Sequence, residues 1–494
     1  MSPLKVCHVT PEFSPIAKVG GLADVSAALP AALSRLGLEV VVFLPYYGRI
    51  RNGAMDVSET PLLRGIPLKL GAHVLPFDLH AARPAEDAPP LYLIRCDPLF
   101  GGESIYASDG TEPFRAALLS RAAIESCQHL GFRPDVFHAH DWTAAILPLL
   151  LRTRYAWDAF FEGTRTLLTI HNIAHQGVFP AGVWSDLGLE ESRSQLPKED
   201  VDRGLVNFMK LGILYSDVLT TVSPTYAREI QGDELGMGLQ GLLRGRRDRL
   251  VGILNGTDAR EWSPETDRFI PHRFSAKSLW RKEKNKEALL RAVGLRYEAD
   301  VPVVGMVSRL SAQKGIDLVQ EVLPAFLRNE RMRFVVLGSG EPRFEQFFEE
   351  LQRRHPDSVC FFRGFSEELA HLVEAGSDVF LMPSLFEPCG LNQMYSQAYG
   401  TIPVVRRTGG LADSVRPFDP ATGEGTGVVF DHYDAAGLAW ALGFALSTYR
   451  DPDLRRKIRL NGMAEDFSWA TRASVYVDLY ERLRALSNVP TGRG

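Results

Sequence analysis

The chain has 494 residues, of which 45% are hydrophobic and 23% charged, and its formal net charge is -5. A chain of this length exceeds one ordinary hydrophobic core, so we expect two domains, with three as an alternative. The composition is that of a soluble globular protein, and the charge gives no support for a surface that binds nucleic acid or an anionic membrane.

The cysteines and the apolar runs indicate the compartment. Five cysteines lie far apart and include no Cys-x-x-Cys pair, which favours reduced thiols over a disulfide framework or a zinc site. The sequence begins almost directly with the strand-like run KVCHVT, without the apolar segment of a signal peptide. Its most apolar run, AAILPLLL, is far shorter than a membrane span. We therefore expect a cytoplasmic protein.

Short apolar runs in the first half of the chain alternate with helical patterns. The first helix is predicted in LADVSAALPAALSRLG, where apolar positions recur at helical spacing before Gly37. The runs predicted as strands in this half are KVCHVT, LEVVVFL, LYLIRC, DVFHAH, RTLLTI, DVLTTV and LVGIL.

The second half repeats this alternation after a segment rich in turn-forming residues, 255–267, which we predict to be the hinge. The basic stretch RKEKNK, residues 281–286, is expected to form a solvated helix face. Nearly continuous apolar strands that alternate with helices indicate parallel sheets covered on both faces. The runs predicted as strands here are VVGMVS, FVVLGSG, SVCFFRG, DVFLMPS, IPVVR and GVVF.

The pentapeptide GGLAD occurs twice, at residues 20–24 and 409–413, and opens a predicted helix each time. In wound α/β sheets, ligands bind where strands end and helices begin. Glycines there let the backbone approach a phosphate, and the helix N-terminus offers unpaired N–H groups. Lys18 precedes the first copy, and Arg406 and Arg407 precede the second. Both copies therefore predict an anion site; the alternative is that each Gly-Gly pair only makes a tight turn.

Histidines cluster in two motifs of the first half. FHAHDW ends a predicted strand, and strand alternation puts His138 and His140 on one face. Together with Asp141 and with His171 and His175 of HNIAH, they could suggest a metal hydrolase. However, the HNIAH histidines follow a strand in a predicted loop, and no acidic cluster completes a metal-binding set. We favour polar contacts to a hydroxyl-rich substrate, with structural histidines and a metal site as alternatives.

Two segments of the second half carry charges after predicted strands. SRLSAQKG contains Arg309 and Lys314, and a guanidinium with an ammonium suits a diphosphate; a surface loop with scattered charge is the alternative. SLFEPCGLNQMYSQAYG contains Glu387, whose carboxylate could bind sugar hydroxyls or balance an oxocarbenium-like centre. Cys389, at a predicted helix N-terminus, is either a thiol of lowered pKa or inert packing.

In their order along the chain, these motifs resemble the glycogen synthase and starch synthase family that uses ADP-glucose. The diagnostic motifs are KVGGLADV, HAHDW, HNIAHQG, VSPTY, NGTD, SRLSAQKG and EPCGLNQMY. The resemblance implies an α/β fold of the GT-B type, with two Rossmann-like doubly wound domains facing a deep cleft. The domains implied are residues 1–254, on the acceptor side, and 255–468, which bind the nucleotide sugar. A C-terminal helix and tail, 469–494, would pack back on the first domain.

The same resemblance implies a retaining transfer of glucose from ADP-glucose to the non-reducing end of an α-1,4-glucan. The expected partners are ADP-glucose and a glycogen or malto-oligosaccharide acceptor, without nucleic acid, membrane, cofactor or metal. The two Asp-x-Asp triplets, at 200–202 and 451–453, are interpreted as non-functional. The alternatives are UDP-glucose as the donor, a histidine-rich metal hydrolase, and a catalytically silent sugar-binding protein.

The resemblance also implies roles for individual residues. Tyr395 stands where related sugar-nucleotide transferases carry a second glutamate, which favours the glycogen synthase branch. His175 stands where relatives often carry tyrosine. The implied catalytic residues are His171, Arg309, Lys314 and Glu387. The implied donor-binding residues are Lys18, Gly20, Gly21, Asp24, Asp141, Asn172, Asn255, Cys389, Gly390, Leu391, Thr408, Gly409 and Gly410.

Overall fold

The structure is a computed structural model, and it describes residues 3–51, 53, 55–85 and 88–487. The chain forms two compact units. The first comprises Met1–Val222, Ala227–Gly256 and Trp469–Gly494, and the second comprises Ser223–Tyr226 and Thr257–Ser468. The end of the predicted C-terminal tail, residues 488–494, lies outside the described residues.

Every run predicted as a strand in the first half of the chain forms one, and the first unit is built around them. Its strands are β1 (Lys5–Val9), β2 (Glu39–Pro45), β3 (Leu63–Leu70), β4 (His73–Ala82), β5 (Leu91–Arg95), β6 (Val136–His140), β7 (Arg165–Ile170), β8 (Val178–Pro180), β9 (Leu205–Asn207), β10 (Val218–Thr221) and β11 (Leu250–Gly252). The main sheet has the order β11-β10-β7-β6-β1-β2-β5-β4-β3, and β8 pairs with β9 in a separate small sheet.

The predicted parallel arrangement holds for most of this sheet but not for its β3 and β4 edge. The strands from β11 to β5 are parallel, but β4 is antiparallel to β5 and β3 is antiparallel to β4. The β3–β4 hairpin is missing from the predicted elements because Pro67 and Pro76 interrupt its apolar pattern. The sequence nevertheless contains one indication of the hairpin, because a glycine, Gly71, stands in the two-residue connection formed with Ala72. In the structure, Gly71 has a φ of +55°. Two-residue hairpin turns commonly need such a conformation.

Helices cover both faces of the main sheet. Val6 of β1 packs in a cluster with Leu29 and Tyr476, whereas the Sγ atom of the next residue, Cys7, lies 3.8 Å from Sγ of Cys127. Successive side chains of a strand point to opposite faces. The helices up to the end of this half are α1 (Gly21–Arg35), α2 (Gly48–Arg51), α3 (Asp97–Phe100), α4 (Glu112–His129), α5 (Asp141–Ala144), α6 (Leu147–Arg152), α7 (Val183–Asp186), α8 (Lys198–Asp202), α9 (Phe208–Tyr215), α10 (Pro224–Glu229, divided between the units) and α11 (Gln240–Gly245).

The second unit contains one parallel sheet, as the apolar runs of this half predict. The order of its strands is β14-β13-β12-β15-β16-β17, with β12 (Val303–Val307), β13 (Arg333–Gly338), β14 (Val359–Arg363), β15 (Val379–Met382), β16 (Ile402–Arg406) and β17 (Val428–Phe430). Its helices are α12 (Lys282–Ala292), α13 (Ile316–Asn329), α14 (Pro342–Arg354), α15 (Glu367–Gly376), α16 (Asn392–Ala398), α17 (Gly409–Ser414), α18 (Ala435–Arg450) and α19 (Pro452–Met463).

The prediction that residues 281–286 form a solvated helix face is wrong. Lys282 and Lys286 lie in α12 and are only 2% and 1% exposed. Nζ of Lys282 donates to the carbonyl oxygen of Ala375 at 2.9 Å and to Oγ1 of Thr401 at 2.6 Å. Nζ of Lys286 pairs with the buried carboxylate of Asp378 at 2.9 Å. Buried partners for both ammonium groups make burial tolerable, and local sequence does not reveal such partners.

The last helix, α20 (Trp469–Ser487), follows the second unit in the sequence but belongs to the first. Its buried side chains, among them Tyr476, Tyr480 and Leu483, pack with Val25 and Leu29 of α1. The first unit therefore completes its apolar cluster with the end of the chain. In the described residues, no helix has both the length and the apolar character that crossing a membrane requires.

Candidate active site

The predicted site residues of the first unit follow strands that are neighbours in its sheet. Lys18 follows β1, Asp141 follows β6 and His171 follows β7, and these strands are adjacent in the order β7-β6-β1. Asn255 follows β11 in the same parallel part of the sheet. Because the carboxyl ends of parallel strands meet at one edge, all four residues belong to that edge, where wound α/β proteins bind ligands.

The loop before α1 is held by two carboxylates. Nζ of Lys18 lies 2.7 Å from Oδ1 of Asp24. Oε2 of Glu12 accepts hydrogen bonds from the backbone N–H groups of Val19 and Gly20 at 2.8 and 3.0 Å. The other carboxylate oxygen of Glu12 accepts from the hydroxyl of Tyr106 at 2.7 Å. A protein carboxylate thus already occupies part of the anion-binding backbone that the glycines predict.

Glu12 was missed by the sequence reasoning, although it follows β1 at the same sheet edge as Lys18. It is 4% exposed, and burial raises the pKa of its carboxyl group against the opposing effect of its hydrogen bonds. Gly20 and Gly21, by contrast, are exposed. Among the described residues, no atom lies within 4 Å of where a Cβ of Gly20 would stand. The first GGLAD copy is therefore open to a ligand.

Three imidazoles form a hydrogen-bonded row behind this edge. Nδ1 of His8 lies 3.0 Å from Nε2 of His140, and Nδ1 of His140 lies 3.0 Å from Nε2 of His171. His138 stacks on His140 with ring centroids 4.2 Å apart, so the prediction that these two histidines share a face is confirmed. His8 was not singled out from the sequence, since its partners come from other strands. His175 is exposed.

Burial makes these histidines neutral. It lowers the pKa of His8 and of His171 to about 3, and it lowers the pKa values of His138 and His140 well below the ordinary value. One nitrogen from each of His8, His138 and His140 lies within 4.8 Å of the others, as in a metal site. Their ring nitrogens are largely used in hydrogen bonds, however, and those of His138 contact Tyr480 and Thr169. Most ring nitrogens of these histidines therefore have protein partners, as in structural histidines, although Nε2 of His8 is buried without one among the described residues.

Asp141 shapes the loop that carries His171. Its φ is +54°, which is unusual for a residue with a side chain. Its Oδ1 atom accepts from the backbone N–H of His171 at 2.7 Å and from that of Asn172 at 3.4 Å. Burial raises the pKa of Asp141 to about 7. Asp141 thus holds the backbone of the HNIAH motif in place.

Asn255 is 4% exposed, and its Oδ1 atom is buried without a hydrogen-bond partner among the described residues. A buried polar atom of this kind is costly unless something else satisfies it. Nothing in the surrounding elements explains why an asparagine stands here. Its predicted contact with the donor stays a prediction.

In the second unit, the predicted residues also follow neighbouring strands. Arg309 and Lys314 follow β12, Glu387 follows β15 and Thr408 follows β16, and these strands are adjacent in the order β12-β15-β16. Nζ of Lys314 lies 2.6 Å from Oε2 of Glu387, with the two side chains 19% and 7% exposed. Oγ of Ser384 donates to the same oxygen at 3.0 Å. The predicted proximity of Lys314 and Glu387 is thus seen as a direct ion pair.

Arg309 differs from Lys314 in that it is exposed. Its guanidinium group makes no hydrogen bond or ion pair with any residue that the structure describes. An exposed guanidinium that is unpaired among the described residues can take an anion without first breaking a protein contact. Of the predicted cations, Arg309 is therefore the one best prepared for a diphosphate.

The second GGLAD copy packs against the EPCG turn and differs in this from the first. Gly409 and Gly410 are buried. A Cβ on Gly409 would lie 1.9 Å from the carbonyl oxygen of Glu387, and one on Gly410 would lie 2.1 Å from that of Cys389. The N–H of Gly410 donates to the Glu387 carbonyl at 3.1 Å. These contacts explain the glycines by packing. Thr408, which is 1% exposed, is the N-cap residue of this helix.

The EPCG turn itself leads into α16. Cys389 is buried, and Gly390 has a φ of +71°, which favours glycine. Leu391 precedes Asn392, the first residue of α16, so Cys389 lies outside the helix. Tyr395 is buried, and its ring stacks on Trp262 with centroids 4.0 Å apart. The position that carries a glutamate in other transferases is thus part of the core here.

The two Asp-x-Asp triplets have structural contacts. Asp200 pairs with Lys210 at 2.8 Å, and Asp202 pairs with Lys198 at 2.6 Å. In the second triplet, the side chain of Asp451 accepts from the N–H of Asp453 at 3.0 Å and caps α19. Ion pairs thus give Asp200 and Asp202 a structural role, and the helix cap gives one to Asp451.

Two family models match the chain. The one described as "Starch synthase catalytic domain" matches residues 5–245, and the one described as "Glycosyl transferases group 1" matches residues 292–464. Together they cover most of both units.

Individual relatives match over nearly the whole length. A glycogen synthase from Koribacter versatilis (strain Ellin345) is 43% identical, with 97% of this chain and 98% of the relative covered. One from Anaeromyxobacter sp. (strain Fw109-5) is 44% identical, with 98% and 100% covered. Among solved structures, the catalytic domain of starch synthase IV from Arabidopsis thaliana, bound to ADP and acarbose, is 34% identical with a TM-score of 0.90, and 98% of this chain and 100% of that one are covered. Strand order, site motifs and these likenesses agree on a GT-B glucosyltransferase, and the chain belongs to the glycogen synthase and starch synthase family.

Proposed function

We propose that this enzyme transfers glucose from ADP-glucose to the non-reducing end of an α-1,4-glucan, with retention of configuration at the transferred carbon. The observation that carries the proposal is the set of charges in the second unit. There, the exposed and unpaired Arg309 follows the same strand as Lys314, which is paired with the buried Glu387. The presence of ADP and acarbose in the related starch synthase IV structure supports both substrates.

In this proposal, Arg309 and Lys314 bind the diphosphate. As the bond between the glucosyl C1 and the phosphate oxygen breaks, negative charge grows on the departing ADP, and fixed cations stabilise charge that develops in the transition state. The 4-hydroxyl of the acceptor forms the new bond to C1 on the same face. Its proton passes to an oxygen of the departing diphosphate, so that atoms and charge balance.

Glu387 has two roles in the proposal. Its Oε2 atom holds Lys314 at 2.6 Å, which fixes the ammonium for the diphosphate. With Cys389, Gly390 and Leu391, it would also contact the glucosyl ring. A buried carboxylate suits this task, because its hydrogen bonds to sugar hydroxyls form in a site of low dielectric.

In the first unit, His171 would donate to or accept from a hydroxyl of the glucosyl group or of the acceptor. Since burial lowers its pKa to about 3, we assign it hydrogen bonding as a neutral ring and not proton donation as an imidazolium. Asp141 and Asn172 would complete the hydroxyl contacts. Lys18, Gly20 and Gly21, with Asp24 in support, would lie against the sugar-phosphate.

We further propose that no metal or other cofactor takes part, since two cations are present for the diphosphate. One assay tests both the choice of donor and the independence from a metal. Purified protein is incubated with glycogen and either labelled ADP-glucose or labelled UDP-glucose, each with and without EDTA. We expect incorporation mainly from ADP-glucose, unchanged by EDTA, into a product from which an α-1,4-specific glucanase releases the label. Preference for UDP-glucose would refute the donor assignment, and absence of incorporation from either donor would refute the reaction.

A further inference from the structure

Gln393 lies in α16, immediately after the EPCG turn, and is fully buried. Its Nε2 atom lies 3.1 Å from the carbonyl oxygen of Cys389, 3.1 Å from that of Gly390 and 3.0 Å from Oγ of Ser414. Two of these partners are carbonyls, which can only accept hydrogen bonds, so the amide nitrogen must face them. A single side chain thus ties two consecutive peptide groups of the turn.

The turn is also in close contact with α17. A Cβ on Gly410 would lie 2.1 Å from the carbonyl oxygen of Cys389, and on the Gln393 side a Cβ on Gly390 would lie 2.5 Å from Oε1 of Gln393. Oγ of Ser414 donates to the carbonyl of Gly410 at 2.5 Å and accepts from Gln393. The backbone of the turn is therefore clamped between the amide of α16 and the glycines of α17.

We propose that Gln393 is a positioning residue for the turn formed by residues 387–391, and that Ser414 supports it in this task. The proposal rests on the proposed function, which assigns this turn to the glucosyl ring. In that proposal, Arg309 and Lys314 bind the diphosphate, and they belong to a different loop from this turn. Loss of the clamp is therefore expected to impair transfer of the glucosyl group more than affinity for ADP, since a small misplacement of contacts at the reacting centre has large effects on rate.

The variant Gln393→Met keeps a similar volume but removes the donor, which leaves two buried carbonyls without this partner. Gln397→Met is the matched control. Gln397 is 1% exposed, and its Nε2 atom donates to the carbonyls of Gln393 and Ser414 at 3.1 and 3.0 Å. The Gln397→Met variant therefore removes a buried amide from the same helix without removing a hydrogen bond to the turn.

The first readout needs no catalytic activity. Hydrogen exchange of peptides that span residues 387–391 is followed by mass spectrometry in the wild type and both variants. We expect at least tenfold faster exchange in Gln393→Met, and wild-type exchange for this turn in Gln397→Met. Equal exchange in all three proteins would overturn the positioning role, whether or not ADP-glucose proves to be the donor.

The second readout is kinetic. We expect Gln393→Met to lower kcat/KM for ADP-glucose at least tenfold, with the Kd for ADP, from calorimetric titration, changed by less than about threefold. Gln397→Met should retain most of the transfer activity. An equal loss in both variants, or an equal loss of ADP affinity and transfer in Gln393→Met, would overturn the proposal. An inactive wild type would refute the proposed function instead, and the exchange experiment would still decide the positioning role.

A third variant gives a signature of the hydrogen bond itself. In Gln393→Glu, an ionised carboxylate would face the two carbonyl oxygens and repel them. When protonated, it carries one O–H that can donate. The defect of this variant should therefore diminish as the pH is lowered, whereas that of Gln393→Met should not. Parallel pH profiles for the two variants would contradict the assigned donor role.

Discussion

The two copies of GGLAD allow a matched test of what their first glycines do. At Gly409, φ is +43°, and an added Cβ would lie 1.9 Å from the carbonyl oxygen of Glu387. Gly20 has an extended backbone with φ of -151°, and no described atom lies within 4 Å of its Cβ position. We expect Gly409→Ala to destabilise the second unit and Gly20→Ala to leave stability nearly unchanged.

The size of the effect follows from the geometry. Ordinary contacts of a Cβ begin near 3.4 Å, so the Glu387 carbonyl would have to move by roughly 1.5 Å in a close-packed interior. Overpacking of this kind costs about 1–3 kcal/mol, and the left-handed backbone adds about 1 kcal/mol for alanine. For a unit of roughly 200 residues, about 2–4 kcal/mol lowers Tm by roughly 4–16 °C.

Differential scanning calorimetry of the wild type and both variants tests this account. We expect the transition of the second unit to fall by that amount in Gly409→Ala, and to shift by about 2 °C or less in Gly20→Ala. The methyl group of Gly20→Ala would instead occupy open space before α1 and should raise KM for ADP-glucose. A wild-type Tm for Gly409→Ala, or equal shifts in both variants, would refute the packing explanation of the second copy.

Three other outcomes are expected. Arg309→Ala should lower kcat roughly 10²-fold without a change in Tm. Lys314→Ala should lower both kcat and Tm, because Glu387 loses its partner. Equal Tm values for the two variants would contradict this contrast. Turnover should survive exhaustive chelation, and its loss with restoration by one divalent ion would disprove a metal-free reaction. Burial by itself lowers the pKa of His371, but the hydrogen bond between its Nδ1 atom and the carboxylate of Asp267, together with the nearby carboxylate of Glu367, outweighs it and raises the pKa above its ordinary value. The contribution of protonated His371 to stability is complete below the pKa that this histidine has in the unfolded chain, and it is lost as the pH rises through its folded-state pKa. We therefore expect Tm to fall between these two pKa values in the wild type and to change less in His371→Gln.

The sequence predicts most of the fold because strands buried on both faces are apolar along their length. All the strands of the second sheet and the parallel ones of the first were visible as such runs. The β3–β4 hairpin was not, since an edge hairpin can contain Pro67 and Pro76, and proline there breaks the pattern on which the prediction depends. Lys282 and Lys286 show a second limit, because the acceptors Ala375, Thr401 and Asp378 lie about 90 residues or more away in the chain and no local pattern can reveal them.

The sequence also indicates which candidate residues follow strands, but it does not reveal their contacts. Motifs at strand ends place Lys18 and His171 at one edge of the first sheet and Arg309 and Glu387 at one edge of the second, since the carboxyl ends of neighbouring parallel strands meet. The same five letters, GGLAD, nevertheless have two environments. In the first copy the aspartate pairs with Lys18. In the second, Asp413 accepts from the N–H and the hydroxyl of Thr225 at 2.7 and 2.6 Å. Only packing between distant segments distinguishes them.

The return of α20 to the first unit has a consequence for synthesis on the ribosome. Tyr480, whose hydroxyl lies 2.7 Å from Nδ1 of His138, is translated long after the strands that it covers. At elongation rates of about 5–20 residues per second, the intervening second unit of roughly 200 residues delays α20 by on the order of 10–40 s. During that interval, the face of the sheet that includes Val6 and Leu167 lacks its last helix. The nascent first unit therefore exposes an apolar surface that chaperones can bind, and the second unit is the first to complete its core.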